Sequence, residues 1–294
     1  MRSYPECIPC SVRQALRTAK MAGLDERAQM KAVTAAVKVM AGLDYGAPPA
    51  VIATRAIRAG EDLYDGVDPF ARIKWDTTVE ALAMYEHIKP GVVERMSGMG
   101  PVERIRYCAK LGAAGNIIDF GVASEFDLEA ALTETLEGDL AVDHSDRLYD
   151  AIVSSDSLLL VSDNAGEIVF DRFLLDEALR LGKEVSVSVK SRGILNDATF
   201  EDALRAGIRR PVHIIETGSA SLGLILDECS EEFRGLFEKA GVVISKGQAN
   251  YETLDDAARS LFLILRAKCP IVADQMKIPT GASALIYHPG SRPA

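Results

Sequence analysis

Three short polar stretches carry the residue types that metal and phosphate chemistry needs. Asp163-Asn164-Ala165-Gly166-Glu167 and Asn196-Asp197-Ala198-Thr199 supply hard oxygen donors. Lys246-Gly247-Gln248-Ala249-Asn250-Tyr251-Glu252 supplies a cation on a glycine turn. Two carboxylates and an amide, from Asp163, Asp197 and Asn164, suit Mg²⁺ or Mn²⁺ better than a tetrahedral zinc site. They leave coordination positions open for water and a substrate oxygen, as a catalytic metal requires. Asp and Asn are also good helix caps and loop residues, so the same pair could simply start a helix near Glu167. At Lys246 a strand meets a helix, whose first N–H groups favour anions. A solvated lysine in an ordinary βα turn is the bland alternative.

Other catalytic signatures are missing. The GxxxxGKS/T spacing of a P-loop does not occur, and Gly112 and Gly115 are wrongly spaced for GxGxxG. There is no GxSxG elbow and no HExxH, and the four His form no ligand-spaced pair. His213 lies in an apolar run and reads as a core residue. Among five cysteines, Cys7, Cys10, Cys108, Cys229 and Cys269, only Cys7-Ile8-Pro9-Cys10 has an informative spacing. Structural, redox and metal-site readings of that pair stay open. Its distance in sequence from the other motifs suggests a role in stability more than in catalysis.

These motifs need elements to hold them. From Glu6 to about Ser155 the rhythm is helical, with no convincing strand pair. Asp25 caps a helix ending near Gly42, whose Met30, Val33, Val37 and Met40 share one face. A second helix opens at Pro48-Pro49 and closes at Gly60. Further helices are expected over Thr77–Ile88, Pro101–Leu111, Leu128–Leu136 and Ser145–Ser154. After Asp156, short apolar strands alternate with helices. Strands are expected at Leu158–Ser162, Val185–Lys190, Val212–Glu216, Val242–Lys246 and Ile271–Ala273. Helices are expected at Ile168–Leu181, Phe200–Ala206, Leu222–Leu226 and Leu254–Ala267, the last closed by Lys268. This is a doubly wound α/β/α domain with a parallel sheet, residues 151–294, after an all-helical region, residues 1–150. Ligands of such sheets bind outside the carboxyl ends of the strands, where the three polar stretches fall.

Size and composition agree. At about 150 residues per domain, 294 residues suggest two units. Hydrophobic residues at 48% and charged residues at 26% describe an ordinary globular chain. The net charge of −10 repels phosphate backbones, so nucleic acid is an unexpected partner. No run reaches the ~18 apolar residues of a membrane span, and the N-terminal segment lacks a signal-peptide core. A cytoplasmic location without membrane partners is expected.

The ordered set DNAGE (Asp163–Glu167), NDAT (Asn196–Thr199), KGQANYE (Lys246–Glu252) and LRAK (Leu265–Lys268) resembles the metal-dependent damage-control phosphatase family. The N-terminal CIPC followed by Gln14, and GNIIDFG (Gly115–Gly121), are similar to its microbial branch. The resemblance covers nearly the whole chain. It implies a helical N-terminal region on an α/β/α domain, and a phosphatase using Mn²⁺, Co²⁺, Ni²⁺ or Mg²⁺. Carried over by motif, Asp163, Asn164 and Asp197 are metal ligands, with Glu167 in the same loop. Lys246, Gly247, Gln248 and Asn250 form the substrate turn, and Lys268 contacts the substrate phosphate. The larger eukaryotic members end that last motif in a Thr-x-Lys run, where this chain has Arg266-Ala267-Lys268. Asn116 and Asp119 are further pocket candidates.

The function implied is hydrolysis of small phosphorylated metabolites, such as sugar phosphates or damaged phospho-cofactors. Asp163, Asp197 and Lys246 are the expected catalytic residues, with Lys246 and Lys268 offsetting charge on the phosphoryl oxygens. Direct attack by water fits better than an aspartyl-phosphate, because a ligand role for Asp163 competes with a nucleophilic one. Two other classes stand beside this one. One is a nucleotide- or S-adenosylmethionine-binding transferase on the same scaffold, since fold does not fix chemistry. The other is a non-catalytic metal or redox module built on Cys7 and Cys10.

Overall fold

The computed structural model describes residues 1–115 and 136–291. It opens with three helices, α1 (Cys7–Met21), α2 (Glu26–Met40) and α3 (Pro49–Arg58). Asp25 caps α2 as expected, its Oδ1 accepting from the Ala28 N–H at 2.8 Å. The buried stripe of α2 differs from the expected face. It is Ala32, Ala36 and Met40, while Met30 and Val37 are 63% and 50% exposed. Small side chains let the three helices approach closely, and Ala15, Ala36, Met40, Ile52 and Ala56 form their shared core.

Two longer helices follow, α4 (Ala71–Ser97) and α5 (Pro101–Gly115), which contain the expected Thr77–Ile88 and Pro101–Leu111 segments. The helix expected at Leu128–Leu136 lies outside the described residues but for its last position. A short strand β1 (Val142–Asp143), absent from the expected pattern, precedes α6 (Ser145–Val153). The strands β2 (Ser157–Val161), β3 (Glu184–Val189), β4 (His213–Glu216) and β5 (Val242–Lys246) stand where expected, within a residue or two. Between them lie α7 (Ile168–Arg180), α8 (Phe200–Arg205) and α9 (Glu231–Lys239).

The C-terminal part corrects the expectation. Leu254–Ala267 is not one helix: α10 (Gln248–Leu254) ends there and β6 (Leu261–Arg266) follows. The run Leu-Phe-Leu-Ile-Leu is apolar throughout, and a strand buried on both faces shows no alternation to tell it from a buried helix. Ile271–Ala273 lies inside a helix, α11 (Pro270–Met276), opened by a proline at its first position. Leu222–Leu226 is irregular until Leu226, which opens a single 3₁₀ turn (Leu226–Glu228), and the last strand is β7 (Ser283–His288).

The strand order is β1-β7-β6-β5-β2-β3-β4. All neighbours are parallel except β6 and β7. Chain order reverses between β5 and β2, so this is the switch point at which open α/β sheets hold ligands. Side chains alternate across the sheet. Leu158, Leu160, Ile244, Phe262 and Ile264 pack toward α4, α5 and α7, in a core that includes Ala81, Tyr85, Ile105 and Phe170. Leu159, Val161, Val243, Leu263 and Leu265 pack on the other face against Phe233, Phe237, Leu254 and Val272. Residues of α4 and α5 therefore share a core with the sheet. His213, expected inside, is exposed because β4 is an edge strand.

Candidate active site

The parallel strands deliver their following loops to one edge of the sheet. β2 and β5 are neighbours, so Ser162-Asp163 and Gly247 meet at the switch point. The β3 loop is laced to the β2 loop through its backbone. Ala165 N donates to Asn196 O at 2.9 Å and Ala198 N donates to Asp163 O at 2.8 Å. Asn164 and Asp197 form an antiparallel bridge. Beyond it, Thr199 is the N-cap of α8, and its N–H and hydroxyl both donate to Asp202 in the first turn, which fixes the far end of the loop. Leu195, one residue ahead of Asn196, has a φ of 44°, the left-handed region that a leucine enters only under tertiary constraint.

The expected ligands Asp163, Asn164 and Asp197 are thus brought together. The Asn164 Nδ2 donates to Asp163 Oδ2 at 2.9 Å and to Glu167 Oε2 at 3.2 Å. With its nitrogen tied to two carboxylates, the amide keeps its oxygen as an acceptor. The N-cap position of α7 is Glu167, not Asp163 or Asn164, and the Asn164 amide nitrogen is bound to two carboxylates. Burial raises the Asp163 carboxyl well above the ordinary carboxylate range, and the charges of Glu167 and Asp197 push it further. Burial also lifts Asp197, to about 6, against the pull of Lys190, whose ammonium lies 3.6 Å away. Crowded buried carboxylates beside an amide oxygen form a donor set that a hard divalent cation would relieve.

Lys246 is not placed as expected. Its ammonium lies behind the Asp163 loop, fully buried. It donates to Glu167 Oε1 at 2.5 Å, to Asp171 Oδ1 at 2.6 Å and to Gly112 O at 3.1 Å, which uses all three donors. Burial alone would lower its pKa, but Asp171 and Glu167 outweigh burial and keep it charged. Lys246 therefore locks α5, α7 and β5 together rather than facing the cleft. Asp171 was missed by the sequence reading. The signal was available: Glu167 and Asp171 are four apart, a carboxylate pair on one face of an otherwise apolar helix start.

The turn after Lys246 works through its backbone and two amides. Gly247 has φ +83°, and a β-carbon there would overlap the Asp163 carboxylate. Asn250 Nδ2 donates to Lys246 O at 2.6 Å and to Ser162 O at 3.1 Å, clasping the ends of β5 and β2 from a buried position. Gln248 Oε1 accepts from the N–H groups of Lys268 and Cys269 at 3.1 and 3.2 Å. Its Nε2 donates to Glu252 Oε1 at 2.9 Å. Burial pushes the Glu252 carboxyl up to about 7, although Gln248 and the Ala50 N–H oppose the shift. Lys268 reaches the cleft after strand β6, not from a helix end.

A cleft of about 740 Å³ lies between this edge and the helices α1 and α3. Asp163, Asn164, Asp197, Gln248 and Lys268 line it; Glu167, Lys246, Gly247 and Asn250 stand behind it. Asn116 and Asp119 lie outside the described residues. The opposite wall carries Cys7, Cys10, Arg13, Gln14 and Arg17 of α1. All five cysteines are free thiols, and Cys7 and Cys10 stand at the cleft despite their distance in sequence. Arg13 and Arg17 were not anticipated, although their spacing from Cys10 places all three on one helix face. A second cavity, of about 750 Å³, shares Phe70 and Leu195 with this one and holds none of the expected ligands.

Known proteins resemble this chain over nearly its whole length. The chain is 35% identical over 291 residues to an uncharacterized protein, MJ0202, of Methanocaldococcus jannaschii, covering 96% of this chain and 94% of that one. It is 32% identical to the damage-control phosphatase PH1575 of Pyrococcus horikoshii, covering 96% of each chain. It is 28% identical to a damage-control phosphatase of Archaeoglobus fulgidus, covering 96% and 97%. The crystal structure of the Pyrococcus horikoshii protein, described as a DUF89 family protein, superposes with a TM-score of 0.87 over 97% of this chain and 99% of that one. The profile of the damage-control phosphatase ARMT1-like domain matches residues 3–284, and this chain belongs to that family.

Proposed function

We propose that this chain is a divalent-metal-dependent phosphatase acting on small phosphomonoesters. The observation that supports it most is the convergence of Asp163, Asn164 and Asp197 on one cleft at the switch point of the sheet. Their oxygens suit Mn²⁺, Co²⁺, Ni²⁺ or Mg²⁺, and burial first, then the charges of Glu167 and Asp197, raise the Asp163 carboxyl, a cost that a bound cation would offset. When bound, such an ion supplies Lewis-acid polarisation of the phosphoryl group. The remaining work falls to side chains. Asp163 and Asp197 hold the ion, and Asn164 orients the Asp163 carboxylate through its Nδ2. Lys268 offsets charge on the phosphoryl oxygens of a loose transition state, and Gln248 fixes its backbone. Lys246 acts as a positioning residue, because its three donors bind Glu167, Asp171 and Gly112.

The substrate class follows from charge and size. A phosphomonoester is close to a dianion at neutral pH, and a divalent ion with Lys268 would more than offset Asp163 and Asp197, leaving a site that attracts it. A polynucleotide would approach a chain of net charge −10, and that repulsion slows the encounter. No described helix is long and apolar enough to cross a membrane. The test is a phosphate-release screen over sugar phosphates and phosphorylated cofactors, with each of the four metals and with chelator. Metal-stimulated release from monoesters, with little from phosphodiesters, is expected. Preference for a phosphodiester, or equal turnover in chelator, would overturn the proposal. A transferase would instead leave monoesters untouched.

A further inference from the structure

We infer that α1 forms a second anion-binding subsite of the cleft, anchored by Arg13, for an anionic group of the substrate remote from the phosphate that is cleaved. The inference rests on the phosphatase reading and narrows its substrate class.

Arg13, Gln14 and Arg17 line the same cleft as Asp163, Asn164 and Asp197. With Cys10 they follow the i, i+3, i+4, i+7 spacing of a single helix face, so α1 turns one polar stripe toward the strand ends. Arg13 is exposed and makes no hydrogen bond or ion pair with another described residue. Its guanidinium is a rigid fork of donors that matches a carboxylate or phosphate in two bonds. Beside it, Gln14 Oε1 is buried with no hydrogen-bond partner among the described residues. Such an acceptor is costly to leave unpaired, and a hydroxyl of a bound ligand would satisfy it. Arg17, one turn from Arg13, adds positive charge to the same wall.

Size and charge distribution point the same way. The cleft's 740 Å³ equals roughly 25 water volumes at about 30 Å³ each, well beyond a phosphate on a short carbon chain. Glu6, Glu252 and Asp274 also line it, and the Met1 ammonium there is paired with Asp255 at 3.2 Å, so the side-chain cations of the cleft are those of α1 and Lys268. That distribution selects a ligand charged at both ends.

The test uses the full chain loaded with Mn²⁺ and two matched probes. In 6-phosphogluconate the far end is a carboxylate, and in glucose 6-phosphate it is uncharged. The wild-type chain should favour 6-phosphogluconate by about tenfold in kcat/KM, mainly through KM. Arg13→Ala should erase that preference, and Arg13→Lys should keep part of it. Equal kcat/KM for the two probes, or an equal proportional loss on both in Arg13→Ala, would overturn the subsite. Calorimetric binding of both probes separates this failure from that of the phosphatase reading. If neither probe is hydrolysed, Arg13-dependent tighter binding of 6-phosphogluconate upholds the subsite, and equal binding overturns it.

Discussion

The α-carbon of Gly247 rests against the Asp163 carboxylate so closely that a β-carbon built on it would overlap the carboxylate. β5 ends at this contact, beside the end of β2, and the backbone there takes a φ of +83°. Only glycine satisfies both demands. Gly247→Ala should displace Asp163 and cut metal-stimulated turnover by at least about 100-fold, the scale on which small misplacements of reacting groups act. Turnover at saturating Mn²⁺, measured alongside circular dichroism, checks this. A folded variant with wild-type turnover would mean that Asp163 need not hold its place.

Lys246 should prove a stability residue before it proves a catalytic one. Its removal takes away the buried ammonium that both Glu167 and Asp171 hold. Lys246→Met is expected to destabilise the fold by about 3–5 kcal/mol, as broken buried pairs do. Adding Glu167→Gln and Asp171→Asn should recover a good part of that loss in urea unfolding. A Lys246→Met protein of unchanged stability would contradict the buried triad.

A second charge cluster predicts an acid-side dependence. Glu177 on α7 accepts from Arg104 Nε and Nη2 at 2.8 and 2.6 Å and from Arg180 Nε and Nη2 at 2.9 and 2.6 Å. Burial would raise its carboxyl, but these two arginines hold it at about 2, below its ordinary 4.5. A depressed folded-state pKa means stabilisation that is complete above the unfolded value and disappears as pH falls through the folded one. The stability difference between wild type and Glu177→Gln should therefore be constant above about pH 5 and shrink toward pH 2. Chemical denaturation at several pH values measures it. A difference that is independent of pH would contradict the clamp.

Glu252 has the opposite sign. Its carboxyl is raised to about 7 by burial, so its favourable contribution is present below about pH 4.5 and is lost as pH rises through about 7. Glu252→Gln should gain stability relative to wild type over that interval, read by the same denaturation series. No relative change between pH 4.5 and 8 would contradict the burial of that charge.

The legible part of this molecule was its local chemistry. Asp163, Asn164 and Asp197 could be picked out as hard oxygen donors that follow apolar runs, but loop caps look the same, and the ordered set of motifs is what singled them out. The strands themselves showed wherever turn residues bounded them, as at β2, β3 and β5. Leu261–Arg266 was read as helix because a strand covered on both faces has no period of two in its polarity, although Leu263 and Ile264 do face opposite layers. The direction of Lys246 was not legible at all. Its position after a strand fits a phosphate contact equally well, and only packing against Glu167 and Asp171 turns it inward. The α1 wall escaped for a related reason: Cys7 and Arg13 lie some 150 residues before Asp163 in the chain, and only the fold brings them to one cleft.

The central claim is that Asp163, Asn164 and Asp197 together hold a catalytic divalent metal. The most direct measurement is phosphate release by metal-stripped protein titrated with Mn²⁺, for wild type, Asp163→Asn and Asp197→Asn, with Mn²⁺ binding followed by calorimetry. Wild type should bind Mn²⁺ and gain activity in step with occupancy. Each variant should stay folded, bind at least about tenfold more weakly, and turn over at least about 100-fold more slowly at saturation. Variants that bind Mn²⁺ and turn over like wild type, or stripped protein that is already fully active, would contradict the account.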